Sequence, residues 1–407
     1  MNGENWKTVR LSTVLEKIID YRGKAPPKAE DGIRLITARN VRFGYLDLSH
    51  VEFIDEAKYE TWMNRGRPCG TDVLFTTEAP LANACIYPAD GKFAVGQRII
   101  TLRPDPKKLD SNYLLNFLLS PFGQGLIDKR SSGTTAKGIK SKEFAKIEMP
   151  LPPLNEQWKV GTILATWDRA IETVGALIAN ARAQKQALMQ QLLPQGTTPP
   201  KKRLLGFSGE WRKIHIGDVA KEVSERAGEK TGYPVLSCSK YDGMVESLSY
   251  FKKKVYSDDT SNYKVMRRGT FGFPSNHVEE GSIGYQDLCD AGIVSPIYCV
   301  FATSKEVDDG FLYKLLKTDR YRQIFAAATN ASVDRRGSLR WKEFSRIPLP
   351  LPPLEEQRAI SEAVDAVAAT ETAYQAQLTA LRQEKAALMQ QLLTGKRRVK
   401  LPENEAA

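Results

Sequence analysis

A block that occurs twice at fixed spacing constrains this chain more than any other feature. Residues 149–193 read MPLPPLNEQ, a helical run, then KQALMQQLL; residues 349–393 read LPLPPLEEQ, a second run, then KAALMQQLL. Both ends of the block recur 200 positions later (149 to 349, 185 to 385), so no residue has been gained or lost between them. In the first copy a seam runs through Val160, Leu164, Trp167, Ile171, Val174, Ile178, Ala181, Lys185, Leu188 and Leu192. In the second it runs through Ile360, Val364, Val367, Glu371, Tyr374, Leu378, Leu381, Lys385, Leu388 and Leu392. Steps of four and three alternate in both, which is a heptad stripe. Good helix formers fill most other positions and no proline interrupts either run. Pro152-Pro153 and a capping Asn155 precede the first helix and Pro194 and Gly196 follow it; Pro352-Pro353 and Gly395 frame the second.

Each helix spans about 38 residues, or roughly 57 Å. Two arrangements suit such stripes: independent helices lying on their own domains, or a coiled coil between the copies. Periodicity this regular calls for a partner helix. Antiparallel pairing is the expectation, because a pseudo-two-fold axis relating duplicated units sets their helices head to tail.

The intervening segments repeat the plan more loosely. Residues 1–148 carry short apolar segments (IRLITARNV, DVLFTT, ACIYP, AVGQRIITLRP) separated by Gly, Pro, Asn and Asp turns, a strand-rich pattern, then one amphipathic helix at SNYLLNFLLSPFGQGLI. A linker and second domain occupy residues 196–348, where GTFGFPS stands for DVLFTTE and AGIVSPIYCVF for AVGQRIITLRP. Lys142-Glu143-Phe144 and Lys342-Glu343-Phe344 close both domains. The chain therefore reads as an α+β tandem duplication: strand-rich domain, long helix (149–195), second domain, long helix (349–395), and a basic and polar tail (396–407).

Bulk properties narrow the function. A net charge of +11 favours an anionic partner, most simply nucleic acid. The N-terminus lacks an apolar signal segment and no run is long enough to span a membrane, so a cytoplasmic location is expected. Cys69, Cys85, Cys238, Cys289 and Cys299 form no CxxC pair and read as reduced core residues. His50, His215 and His277 lack metal-ligand spacing, so no metal site is expected. Neither a GxxxxGK[ST] loop nor a GxSxG elbow occurs.

The layout, with PLPPLxEQ at Pro150–Gln157 and Pro350–Gln357 and LMQQLL at Leu188–Leu193 and Leu388–Leu393, resembles the specificity subunit of type I restriction-modification systems over nearly the whole chain. The resemblance implies two target-recognition domains, each reading half of a bipartite double-stranded DNA site. It implies docking of two modification (methyltransferase) subunits, with up to two restriction (motor-nuclease) subunits. It also implies that S-adenosylmethionine, ATP and Mg sit on those partners and that this chain is not an enzyme. Its Pro-Pro pairs, Pro26-Pro27, Pro152-Pro153, Pro199-Pro200 and Pro352-Pro353, are not framed as an adenine methyltransferase motif. Two rival classes remain: a structural scaffold with two protein-binding heads, and a self-sufficient enzyme whose catalytic motif the sequence does not display.

Three sets of residues are candidates for DNA contact. The paired polar loops contribute Lys129, Arg130, Ser132, Thr134, Thr135, Lys137, Lys140 and Lys142, and Asn330, Ser332, Arg335, Arg336, Ser338, Arg340 and Lys342, whose cations and hydroxyls suit phosphates. Arg39, Asn40, Arg42 and Tyr45, with the counterparts Ser237, Ser239, Lys240 and Tyr241, suit base edges, although turns between strands are an equal reading. Lys201-Lys202-Arg203 and Lys396-Arg397-Arg398-Lys400 read as solvated linker and tail, with nonspecific phosphate attraction the alternative. The outward small face of the first helix (Ala176, Ala179, Ala183, Ala187, Gln190, Gln191) is the candidate subunit-docking surface. Two heads at the ends of a rod of roughly 57 Å imply an unread spacer between half-sites.

Overall fold

The computed structural model describes residues 6–133, 137–194, 199–228, 232–330 and 338–401, with the Asn330 side chain excepted. The chain is α+β and divides into two compact units, residues 1–176 with 375–407, and residues 177–374. Each unit thus combines one strand-rich body with part of both long helices.

In the first unit a four-stranded antiparallel sheet runs in the order Leu15–Asp20, Ile99–Pro104, Val73–Thr77, Leu81–Ile86. Strand alternation sends Val73 and Phe75 to one face and Leu74 to the other. The first face meets Tyr113, Phe117, Phe144, Val160 and Leu164, together with Met389, Leu392 and Leu393 of the second long helix. The opposite face builds a separate core with Ile19, Tyr21, Leu35, Ile54 and Met63, against a smaller sheet ordered Lys28–Ala29, Phe53–Ile54, Ile33–Ile36, Phe93–Val95.

The second unit repeats the sheet as Ala220–Glu222, Tyr298–Thr303, Phe271–Pro274, Gly284–Tyr285. GTFGFPS and AGIVSPIYCVF therefore hold the positions expected of them. Its core is aromatic: Phe344 packs on Phe273 (4.6 Å between centroids) as Phe144 packs on Phe75 (4.6 Å). The phenylalanine of each Lys-Glu-Phe signature is a core anchor, while its lysine stays exposed.

Where one helix is expected after the first sheet there are two, and the second domain has the same pair. Ser111–Leu119 and Pro121–Arg130 are separated at Ser120, whose hydroxyl accepts the Gly123 N–H. Pro121 has no N–H with which to continue the first helix but suits the first turn of the next. Thr318 likewise separates Asp309–Leu316 from Asp319–Asn330, its hydroxyl accepting the Tyr321 N–H.

The long helices run Leu154–Leu192 and Leu354–Leu393 and pack as an antiparallel coiled coil. All ten seam positions of each are buried or half-buried. The polar seam residues are paired: Lys385 with Asp168 in the first unit, and Glu371 with Arg182 (2.7 Å) and Lys185 (3.4 Å) in the second. Partner numbers fall on one helix as they rise on the other, which fixes the antiparallel sense. Helix starts differ from expectation in one detail. Pro153 and Pro353, not Asn155, stand before the first turn, and their carbonyls accept the Gln157 and Gln357 N–H groups.

The repeated Glu-Gln pair explains why the motif recurs. Gln157, fully buried, accepts the Asp110 N–H (2.9 Å) and donates to the carbonyls of Lys108 (2.9 Å) and Pro152 (2.8 Å). Gln357 does the same with Asp308 (2.8 Å), Glu306 (3.0 Å) and Pro352 (2.9 Å). Asp110 and Asp308 in turn cap the helices that follow them. Beside each glutamine lies a buried glutamate clamped by an arginine: Glu156 by Arg398 (Nε 3.0 Å) and Glu356 by Arg203 (Nε 2.8 Å), with Trp211 Nε1 at 3.2 Å from Glu356. Arg203 and Arg398 are therefore structural, not solvated linker and tail. The Arg398 guanidinium lies 5.9 Å from the centroid of the Trp6 ring. Gly395 passes that ring at positive φ (+73°), where a Cβ would come within 3.1 Å of it.

Candidate nucleic-acid interface

The two polar loops are rooted identically. Each follows a helix of its domain, and each ends at a buried aliphatic residue whose N–H donates to the end of a central strand: Ile139 to the Thr77 carbonyl (3.0 Å), Leu339 to the Ser275 carbonyl (2.8 Å). In the first loop Ser132 and Gly138 exchange backbone hydrogen bonds at 2.9 Å. Lys129, Lys140 and Lys142 are exposed, whereas Lys137 pairs with Asp128 and Arg130 lies 3.9 Å from Glu143. Thr134 and Thr135 lie outside the described residues, as do Ser332, Arg335 and Arg336. Asn330 ends its helix; Ser338 is half-buried; Arg340 and Lys342 are exposed.

At the base of the first loop, Arg22 donates to the Ile139 carbonyl (2.8 Å) and pairs with Asp20 (2.6 Å). Burial alone would raise the Asp20 carboxyl, but Arg22 and Ser141 hold it below its ordinary range.

Arg39 and the first loop converge. Arg39 lines a cleft of about 330 Å³ with Lys28, Thr37, Gln97 and Arg98. Arg98 pairs with Glu78 (3.2 Å), and Glu78 bridges to Gly138 of the loop. Between these parts the hairpin holds Ala79 at φ +44° and Ala82 at φ +70°, conformations that cost a non-glycine residue energy and gather at functional sites.

Asn40 is not at the surface. It is 1% exposed, and its amide is spent on its own turn, accepting the Thr37 N–H (2.8 Å) and donating to the carbonyls of Asp47 (2.9 Å) and His50 (2.7 Å). What it supports is a projecting tip. Gly44 at φ +96° lets the chain reverse between Phe43 and Tyr45, which stand 54% and 61% exposed, with Arg42 beside them, 3.4 Å from Asp47.

In the second domain Ser239 is likewise a turn former, its hydroxyl accepting the N–H groups of Tyr241 (3.3 Å) and Asp242 (3.2 Å). Ser237 hydrogen-bonds Ser247 (2.6 Å). Tyr241 projects, 81% exposed, with the Lys240 ammonium 5.5 Å from its ring centroid. Lys317, buried enough for desolvation to lower its pKa, braces this turn by donating to the Lys240 carbonyl (2.7 Å) and the Gly281 carbonyl (3.0 Å).

Several surface residues were missed from sequence. Phe43 is one; the others are Tyr250, Phe251 and Lys252-Lys253-Lys254, all exposed. The lysine run after an aromatic pair was the available signal.

Among the described residues His277, Glu279 and Glu280 are the group with ligand atoms within 4.8 Å of one another, and all three are at least partly exposed. Cys85 and Cys299 are buried thiols, both pushed up to about 12 by burial, whereas Cys69 is exposed, contrary to the core reading. No helix among the described residues is long and apolar enough to cross a membrane.

The family model of the type I restriction modification DNA specificity domain matches residues 3–180 and again 208–381. The chain is 24% identical to the provisionally named type I restriction enzyme MjaX specificity subunit and 23% identical to the MjaVIII specificity subunit, both of Methanocaldococcus jannaschii. These matches cover 98% of this chain and 95% and 94% of those proteins. The fold is similar to that of the type I restriction-modification S subunit from M. genitalium, with a TM-score of 0.56 at 17% identity over 97% of each chain.

Proposed function

This chain belongs to the type I restriction modification DNA specificity family, and on that premise we propose that it reads a split double-stranded DNA site and performs no chemistry itself. Each strand-rich domain takes one half-site. Two modification subunits dock on the paired helices and methylate adenine where the domains direct them; restriction subunits, where present, cleave. S-adenosylmethionine, ATP and Mg are held by those partners.

The observation that carries this reading is the pairing of equal roots with unequal tips. Both polar loops hang from the same backbone position, at Thr77 and Ser275, while the projecting side chains differ: Phe43, Tyr45 and Arg39 in one domain, Tyr241 and Lys240 in the other. A common scaffold with divergent tips suits two readers of different sequence. Exposed Lys129, Lys140, Lys142, Arg340 and Lys342 supply phosphate contacts, which position the duplex without reading it. The projecting tips supply base or shape readout.

The test is single-molecule sequencing of adenine methylation in DNA from cells expressing this chain with and without its cognate methyltransferase. A new split motif that needs both proteins is the expected result. A soluble complex of the two that leaves no motif refutes the reading and favours a scaffold.

A further inference from the structure

Successive residues of the stretch Lys24–Lys28 line two different cavities. Pro26 and Lys28 face the Arg39 cleft, whereas Lys24, Ala25 and Pro27 line a second concavity of about 480 Å³ that the function above does not use. One wall of it is an aromatic plate. The Trp62 indole donates to the Val95 carbonyl (3.0 Å), and the Tyr21 ring stacks with it at 5.6 Å and 26°. The Tyr21 hydroxyl is itself bound to the Gly66 carbonyl. Neither ring is free to turn, so the plate is organised before any ligand arrives.

Around the plate stand Lys24, Lys58 and Arg65, with Thr61 and Asn64 as neutral polar groups. Among the described residues no carboxylate lines the cavity. Lys58 lies 3.6 Å from Asp55 in an exposed pair, an interaction too weak to neutralise it. Arg65 is steadied by the carbonyls of Asp20 and Arg22, which orient the guanidinium and leave its charge uncancelled. A locked aromatic surface ringed by cations selects a ligand that is flat at one end and anionic at the other.

We propose that this pocket takes an unstacked nucleotide of the bound DNA, its base against Trp62 and its phosphate among Lys24, Lys58 and Arg65. The proposal rests on the DNA-reading function. Among the described residues no tyrosine–tryptophan stack occurs in the second domain, so the extruded nucleotide belongs to the half-site of the first.

The test uses the full chain assembled with its modification subunits, on duplexes carrying the methylated motif with 2-aminopurine scanned through and beside the first domain's half-site. One position should change in fluorescence on binding, return to the level of stacked duplex in Trp62→Ala and brighten further in Trp62→Phe, which still holds the base but quenches it less than indole, with affinity falling about tenfold in the alanine variant. Lys24→Gln with Lys58→Gln, both at exposed positions, should weaken the same signal without altering the plate. A base drawn out by the methyltransferase itself should brighten independently of Trp62. Absence of any Trp62-sensitive position overturns the proposal, as does saturable binding of free dAMP to this cavity with no such position in duplex. If the wild type yields no split motif, the DNA-reading function falls and the pocket with it. An intact motif with a Trp62-insensitive probe removes the pocket alone.

Discussion

Gln157 and Gln357 each satisfy three backbone groups, one in a buried and two in part-buried hydrogen bonds. Leucine at either position leaves those groups without partners and should cost about 2–4 kcal/mol, read as a lowered melting transition; an unchanged melt would refute the account. The glutamines were visible in the sequence as part of a repeat, but their partners were not, since Lys108 and Asp110 lie far back in the chain and contribute only main-chain atoms. Asn40 failed for a related reason. A polar residue between strands looks alike whether it faces solvent or holds a turn from inside, and only the positions of the Asp47 and His50 carbonyls distinguish the two. Lys129, Lys140 and Lys142, by contrast, stand at the surface as expected. Replacing all three with glutamine should weaken binding to every duplex and flatten its salt dependence by about 0.9 in the log–log slope for each phosphate no longer neutralised. A loss confined to one sequence would instead make them base readers.

The helices were the most legible elements, because a stripe kept over ten seam positions leaves few alternatives to a paired seam. Its polar interruptions, Lys185, Glu371 and Lys385, form ion pairs that fix register. The Arg182 hydrogen bond, chiefly, holds the Glu371 carboxyl below the ordinary glutamate range. Its folded pKa is therefore lower than its unfolded one. The stabilisation is complete above the unfolded value of about 4.3 and is lost as pH falls through the folded value. Glu371→Gln should lower the melting temperature at pH 7 and have little effect at acid pH; an equal loss at both would assign the effect to packing. The break at Ser120-Pro121 shows the limit of periodicity, since apolar spacing continues across a junction where proline has removed the N–H that one helix would need.

Across the whole molecule, the repeat was readable where length is fixed and faded where the two domains differ. If each domain reads one half-site, Lys240→Ala with Tyr241→Ala should change or erase only one half of the methylated motif, as sequencing of the modified DNA would reveal. Loss of both halves together would mean that the turn supports the complex rather than the reading. The core of the first unit also has a consequence for synthesis. Met389, Leu392 and Leu393 complete the core that begins at Leu11, and Val399 packs against it. Domains generally fold as they emerge, at about 5–20 residues per second, yet the body translated first lacks part of its interior until the last helix has left the ribosome. For about 12 to 50 seconds at those rates it must wait with apolar surface uncovered, the natural moment for another protein to engage it, while the domain made second already has every element of its own core.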